Sequence, residues 1–391
     1  MSSPTTTPPA MKLSSKLPDV GTSIFTQISL LAAQHQAVNL GQGFPGFPCD
    51  PLLPQLVTEA MQAGLNQYAP MTGLPQLRQQ TAALAHAYCG HAYDPDTEVT
   101  ITSGATEALY AVISAVVQPG DEVIVFDPCY DSYVPAILAN GGQPVHIPLT
   151  YPDYAIDWNM VKRLITSKTR ALLLNSPHNP SGRMLTEADI KALKSITRDS
   201  NLLIISDEVY AHIVFDGRRH LSMATDPELA ARSFVIGSFG KTLHVTGWKV
   251  GYVLAPAALT TELRKFHQFI TFCTATPFQQ AIAAYMARIP QLVEDLQALY
   301  TAKRDLFIRL MANSRFEGIP VQGSYFQLYH YGKISDAPDT EFCKWLIEKH
   351  GVAAIPTSVF YRDKTDHKVV RFCFAKTDEE LHTAAERLCK I

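Results

Sequence analysis

Beyond residue 97 the chain alternates short apolar runs with stretches in which apolar residues recur three or four positions apart. Seven runs read as strands, at 99–103, 123–126, 144–149, 171–175, 202–206, 234–238 and 250–255. Most are continuously apolar rather than alternating, as strands covered on both faces are. The stretch 106–117 sets Ala108, Leu109, Ala111, Val112, Ala115 and Val116 at helical spacing, and 187–197 carries a second such pattern. Strand and helix in alternation predict an α/β fold: an open, mostly parallel sheet with helices on both faces. Ligands of such sheets collect beyond the carboxyl ends of the strands, so the polar residues there carry the candidate chemistry.

After Pro290 the texture changes. Helical stretches at 291–314 and 340–349 surround short strands at 321–329, 352–355 and 369–375, an α+β pattern. At 391 residues the chain exceeds the usual size of a single core, so a second, smaller domain is expected. With 47% hydrophobic and 18% charged residues the composition is that of a globular protein with a large interior. A net charge of -3 and the lack of any Lys/Arg cluster argue against nucleic acid as a partner. No apolar stretch reaches bilayer length. Met1–Pro9 lacks the basic start and apolar run of a signal peptide and reads as a short disordered lead. The seven cysteines are odd in number and contain no C-x-x-C pair, so buried thiols in a reduced compartment, the cytoplasm, are expected.

Five strand ends stand out. Lys241 follows the run ending at Ser238; a lysine at the mouth of a buried strand can lose its proton and condense with an aldehyde, although many such lysines are solvated caps. Ser103-Gly104-Ala105-Thr106-Glu107 opens a helix with small residues, which suits a phosphate or an ordinary cap from Ser103 or Thr106. Tyr130 sits where it can stack on a flat ligand or simply pack. In 175–182 two prolines hold Asn179 in one orientation, as a ligand donor or an Asx-turn. The run at 202–206 leads straight into Asp207, with Tyr210 three positions on; a carboxylate at that depth needs a cation or several donors.

Two patterns mislead. Gly41-Gln42-Gly43-Phe44-Pro45-Gly46 matches the dinucleotide fingerprint literally, but prolines straddle its third glycine and no helix starts before about residue 52. His86, Cys89 and His91 form a loose trio without the order of a metal site, and no metal is expected.

Ser-Gly-Ala-Thr-Glu-Ala from Ser103, His178-Asn179-Pro180-Ser181-Gly182, Ser206-Asp207-Glu208-Val209-Tyr210 and Ser238-Phe239-Gly240-Lys241-Thr242, in this order, resemble the fold-type I pyridoxal-phosphate aminotransferases of class I/II. The likeness runs from Asn39 to Ala375; the segments 66–73 and 242–249 are similar to those of the methionine and kynurenine aminotransferase branch. The resemblance implies an aspartate-aminotransferase-like fold. A large cofactor domain would span 45–289, with a seven-stranded sheet, and a small domain would combine 1–44 with 290–391. It implies pyridoxal 5′-phosphate as cofactor and a homodimer with shared sites. Lys241 would carry the cofactor and move the substrate α-proton, and Asp207 would pair with the ring nitrogen. Tyr210 and Asn179 would bond the ring 3-oxygen, and Tyr130 would stack. Gly104, Ala105, Thr106, Ser238 and Lys249 would cradle the phosphate, which Tyr68 of the other subunit would also reach. Arg371 would grip the substrate carboxylate, with Gly43 leaving room and Asn179 beside it. Phe25, Phe360 and, from the other subunit, Phe272 would line the side-chain pocket. Many members have arginine where Lys249 stands, so here a point charge replaces a fork. The activity implied is transfer of an amino group from a neutral L-amino acid, methionine or an aromatic, to a 2-oxo acid; a β-lyase acting on cysteine S-conjugates is the alternative on the same cofactor. Regulators that carry such a domain need a fused DNA-binding domain and a basic surface, for which the sequence offers neither room nor charge.

Overall fold

The computed structural model describes residues 13–391; the Met1–Pro9 lead lies outside them. The seven apolar runs form one sheet of strands β1 (Val99–Thr102), β2 (Glu122–Asp127), β3 (Gln143–Pro148), β4 (Thr169–Asn175), β5 (Leu203–Asp207), β6 (Ser233–Ser238) and β7 (Gly251–Leu254). Their order is β1-β7-β6-β5-β4-β2-β3. Neighbours are parallel except β7, which runs antiparallel between β1 and β6. The continuous apolar character has a simple cause: successive residues face two different cores. Ile124, Leu172, Ile204 and Val235 pack into one buried cluster, while Val123, Val125, Leu173, Ile205 and Ile236 pack into another with the helix Gly104–Val116. Each side chain so buried contributes roughly 1.5–3 kcal/mol relative to exposure.

Where β7 begins, only glycine fits. A Cβ on Gly251 would lie 2.8 Å from the Gly237 oxygen and 2.9 Å from the Gly104 carbonyl carbon. That close approach brings the turn after β1 against the segment that carries Lys249.

A third buried cluster joins residues near both ends of the chain, among them Ile28, Leu40, Tyr300, Phe307, Phe372 and Leu381, with Tyr210 and Ile213 from the middle. Its four-stranded antiparallel sheet has the order Ile355–Pro356, Val369–Cys373, Phe326–His330, Glu317–Gly318. The expected strand at 352–355 is in fact two short ones. Val352–Ala353 pairs in parallel with Val38–Asn39, whereas Ile355–Pro356 pairs with the strand carrying Arg371. The expected strand at 321–329 starts only at Phe326, because the N–H groups of Gln322 and Gly323 donate to the Gly182 oxygen (3.1 and 2.9 Å) and Ser324 has φ of 69°. Among the described residues no helix is long and apolar enough to cross a membrane.

Candidate active site

The carboxyl ends of β4, β5 and β6 deliver Asn175, Asp207 and Ser238 to a single cavity of about 290 Å³. Also lining it are Phe25, Gly43, Gly104, Ala105, Thr106, Tyr130, Asn179, Tyr210, Lys241, Lys249 and Arg371. Phe360 stands just behind, its ring 5.8 Å from that of Phe25 and 6.0 Å from the Arg371 guanidinium. Tyr68 and Phe272 are not brought in: they are 82% and 42% exposed and pack edge to face on each other, ring centroids 5.3 Å apart.

At one end of the cavity, the helix Gly104–Val116 starts with Gly104 at φ +79°, and a Cβ there would lie 3.4 Å from Lys249 Nζ. Ser103 does not cap this helix with its side chain; its hydroxyl meets Thr274 Oγ1 at 3.1 Å, and its N–H donates to Glu107 Oε2 at 2.9 Å. The N–H groups of the first turn and the lysine therefore make an electropositive corner.

The middle of the cavity is built on Asp207. Tyr133 Oη donates to its Oδ2 at 2.7 Å, and the Asn175 side chain donates to its backbone oxygen at 2.9 Å. Only 4% of Asp207 is exposed, and burial pushes its carboxyl up to about 6. Asn179 is held by its N–H, which donates to Asn175 Oδ1 at 2.7 Å. His178 secures the same turn, Nδ1 lying 2.7 Å from Ser181 Oγ and Nε2 2.9 Å from the Pro128 oxygen; burial lowers it to about 4, so it is neutral. Burial likewise lowers Lys241 to about 8, and its Nζ donates to Tyr325 Oη at 2.9 Å. Burial also raises the Tyr210 phenol, which stays protonated.

At the other end Arg371 is 1% exposed. Its Nη1 donates to Asn179 Oδ1 at 2.7 Å and its Nη2 to the Gly41 oxygen at 2.9 Å, and the guanidinium lies 3.9 Å from the Phe326 ring centroid. Nε has no partner, and no carboxylate of the described residues pairs with the group. A buried cation with an orphaned donor beside an open cavity is a receptor for an anion.

Tyr133, Asn175, Tyr325 and Phe326 belong to this site without having been singled out in the sequence. Tyr133 follows Tyr130 by three positions and Asn175 ends a recognised strand, so position could have flagged both. Tyr325 and Phe326 lie in an apolar run with no such signal. The segment 41–46 borders the cavity and leads into no helix before Leu52, unlike a dinucleotide loop. His86, Cys89 and His91 form no ligand cluster; Cys89 Sγ donates to the Ala85 oxygen instead. Asp127, Cys129 and His146 do gather ligand atoms within 4.8 Å, but the Asp127 oxygens lie 2.9 and 3.0 Å from His146 Nδ1, and the Arg362 N–H donates to Oδ2 at 2.9 Å. These contacts tie the loop at Arg362 to the end of β2.

Comparison with known proteins identifies the family. Residues 35–388 match the family "Aminotransferase class I and II". A methionine aminotransferase of Escherichia coli K12 is 47% identical over 374 residues, covering 96% of this chain and 97% of the relative. Kynurenine–oxoglutarate transaminase 1 of Homo sapiens is 35% identical over 400 residues, covering 92% and 93%. A solved structure of a methionine aminotransferase from Escherichia coli superposes with a TM-score of 0.96 at 46% identity, covering 98% of this chain and all (100%) of that one. The chain is a transaminase with the aspartate-aminotransferase-like fold, a member of the class I and II aminotransferases.

Proposed function

We propose that the cavity binds pyridoxal 5′-phosphate and that the enzyme moves the amino group of a neutral L-amino acid, methionine or an aromatic such as kynurenine, to a 2-oxo acid in two half-reactions. The observation that carries this is the pairing, across one cavity, of a buried lysine lowered to about 8 with a buried arginine that lacks an anion.

The residues present fit the cofactor. The first-turn N–H groups at Ala105 and Thr106, with Ser238 and Lys249, would hold its phosphate. Asp207, destabilised as an anion by burial, would gain a partner in a protonated ring nitrogen. Tyr210 and Asn179 would bond the ring 3-oxygen and Tyr130 would cover a face. When bound, the cofactor supplies an electron sink for negative charge at the substrate α-carbon. Lys241 Nζ, near neutrality in its titration, is suited to take the α-proton and return it. Arg371 orients the carboxylate as a bidentate fork, and a Cβ at Gly43 would come 2.8 Å from Phe326 Cζ, closing that space.

Apart from Lys241, Lys249 and Arg371, no basic side chain of the described residues lines the cavity, while Phe25 and Phe44 do, which favours a neutral side chain. The names of the two relatives point the same way. We further propose a homodimer in which Tyr68 and Phe272 serve the partner's site, in keeping with their exposure in one chain. We also propose a large domain over 45–289 and a small one from 1–44 with 290–391, in support of which the third buried cluster draws mostly on the two ends of the chain, taking only Tyr210, Ile213 and Phe215 from the middle. A cytoplasmic setting is supported by the free state of all the cysteines.

The test is a single-turnover absorbance experiment on cofactor-loaded protein with methionine, phenylalanine, kynurenine and aspartate in turn. Conversion to the pyridoxamine band with the neutral amino acids, and little with aspartate, is expected. Added as a fifth substrate, a cysteine S-conjugate carries a thiolate leaving group on its β-carbon; its conversion to thiol, pyruvate and ammonia, with no pyridoxamine band from the other four, would instead identify a β-lyase.

A further inference from the structure

The side-chain partner of Lys241 in the cavity is Tyr325, whose hydroxyl oxygen lies 2.9 Å from Nζ. Tyr325 donates its own proton to the Gly43 oxygen, 2.7 Å away. With that proton committed, the phenol oxygen can only accept from the lysine. Burial raises the Tyr325 phenol far above its ordinary value, so it stays neutral and does not compete for the proton that Lys241 handles. Two residues before Gly43, the Gly41 oxygen accepts from Arg371 Nη2 at 2.9 Å. A continuous set of contacts thus runs from Arg371 through Gly41 and Gly43 to Tyr325 and Lys241; Lys241 Nζ also reaches the Gly43 oxygen directly, but at 3.4 Å, a longer contact than either bond made by the Tyr325 hydroxyl.

We infer that Tyr325 is a positioning residue for proton transfer: it holds the freed Lys241 amine in one orientation and ties it, through the 41–43 backbone, to the arginine that receives the substrate carboxylate. The inference rests on the transaminase reading above. An accepted hydrogen bond favours the ammonium over the amine, so Tyr325 opposes the burial that lowers Lys241. Any shift of the 41–43 backbone when a carboxylate docks at Arg371 is passed to the base.

The test uses the full-length protein loaded with pyridoxamine 5′-phosphate, in which the Lys241 amine is free. Carbamylation of Lys241 by cyanate is followed against pH by peptide mass spectrometry, alongside kcat and KM with the amino donor. In Tyr325→Phe the Lys241 titration is expected to fall by about one pH unit, the equivalent of one lost charge-assisted hydrogen bond. The same variant is expected to lose about tenfold in kcat, with KM changed less than about twofold. Tyr300→Phe is the control: it deletes another buried hydroxyl, one without a partner, whose ring lies 5.7 Å from that of Tyr325. It is expected to leave both readouts unchanged. Site-specific 4-fluorophenylalanine at 325, close to tyrosine in size but a poor acceptor with no ionisable proton, shifts both readouts in the same direction and serves if the phenylalanine variant does not fold. An unchanged Lys241 titration and kcat in the Tyr325 variants, or the same changes in Tyr300→Phe, overturns the inference. Should the unaltered protein convert its cofactor with no amino acid, the transaminase reading itself fails; where it does convert and Tyr325→Phe matches it, only the role of Tyr325 is lost.

Discussion

Asp207 is a carboxylate in the wrong solvent until a cation arrives. In the cofactor-free protein its folded-state value of about 6 stands above the ordinary 3.8, so between those values the folded state holds more protons than the unfolded one. Its contribution to stability is therefore full below pH 3.8 and is lost as pH rises through about 6, on the order of 2–3 kcal/mol. Asp207→Asn removes that loss. Urea midpoints of the two cofactor-free proteins should diverge as pH rises from 4 to 7, the variant becoming the more stable, and bound cofactor should narrow the gap by giving the carboxylate its cation. Parallel midpoints across that range would mean that Asp207 is already compensated by Tyr133.

Among the elements, the helix Gly104–Val116 does the most for the site, since its first turn faces the cavity. Gly104→Ala puts a Cβ on a backbone at φ +79° and 3.4 Å from Lys249 Nζ. The left-handed conformation costs about 1–2 kcal/mol for a non-glycine residue. Weaker retention of the phosphate cofactor is expected in equilibrium dialysis, at least tenfold, whereas the far-UV spectrum, which reports the backbone fold, should stay unchanged. Most strands of the large sheet were legible in the sequence because they are buried on both faces, and a short apolar run between turn residues has few other readings; the edge strand β3, only partly buried, is the exception. For the same reason the small sheet was misread: residues 352–355 are all fully buried, and uniform burial hides the switch of pairing partner at Ala354. Tyr325 escaped notice because its role depends on meeting Lys241 across 84 positions of chain. Asp207, Asn179 and Lys241 were legible because an acid, an amide or an amine at a strand end breaks the local pattern.

At the scale of the whole molecule, one chain leaves Tyr68 and Phe272 facing outward, and in the proposed homodimer a second copy would complete the site. That arrangement has a quantitative signature. Mixing two inactive variants, Lys241→Ala and Tyr68→Ala, and allowing subunits to exchange makes hybrids in which one site carries both lesions and the other carries none. Recovery of roughly a quarter of the unaltered activity is expected for random pairing in a two-fold dimer. No recovery after exchange would place Tyr68 in the site of its own chain, and full activity of Tyr68→Ala before any mixing would place it outside any site.

The position of β7 also bears on how the protein is made. β1 has β7 as its neighbour, and β7 separates it from β6. A growing chain must therefore add about 150 residues after β1 before that strand finds its place, a long loop to close. Strands β2 to β6 have no such wait, since they pair among themselves. The turn at Gly104 and the lysine at 249 meet only when β7 has slotted in, so the anion-binding corner is among the last parts of the large sheet to assemble. On the proposed reading, capture of the phosphate cofactor would then mark a finished sheet.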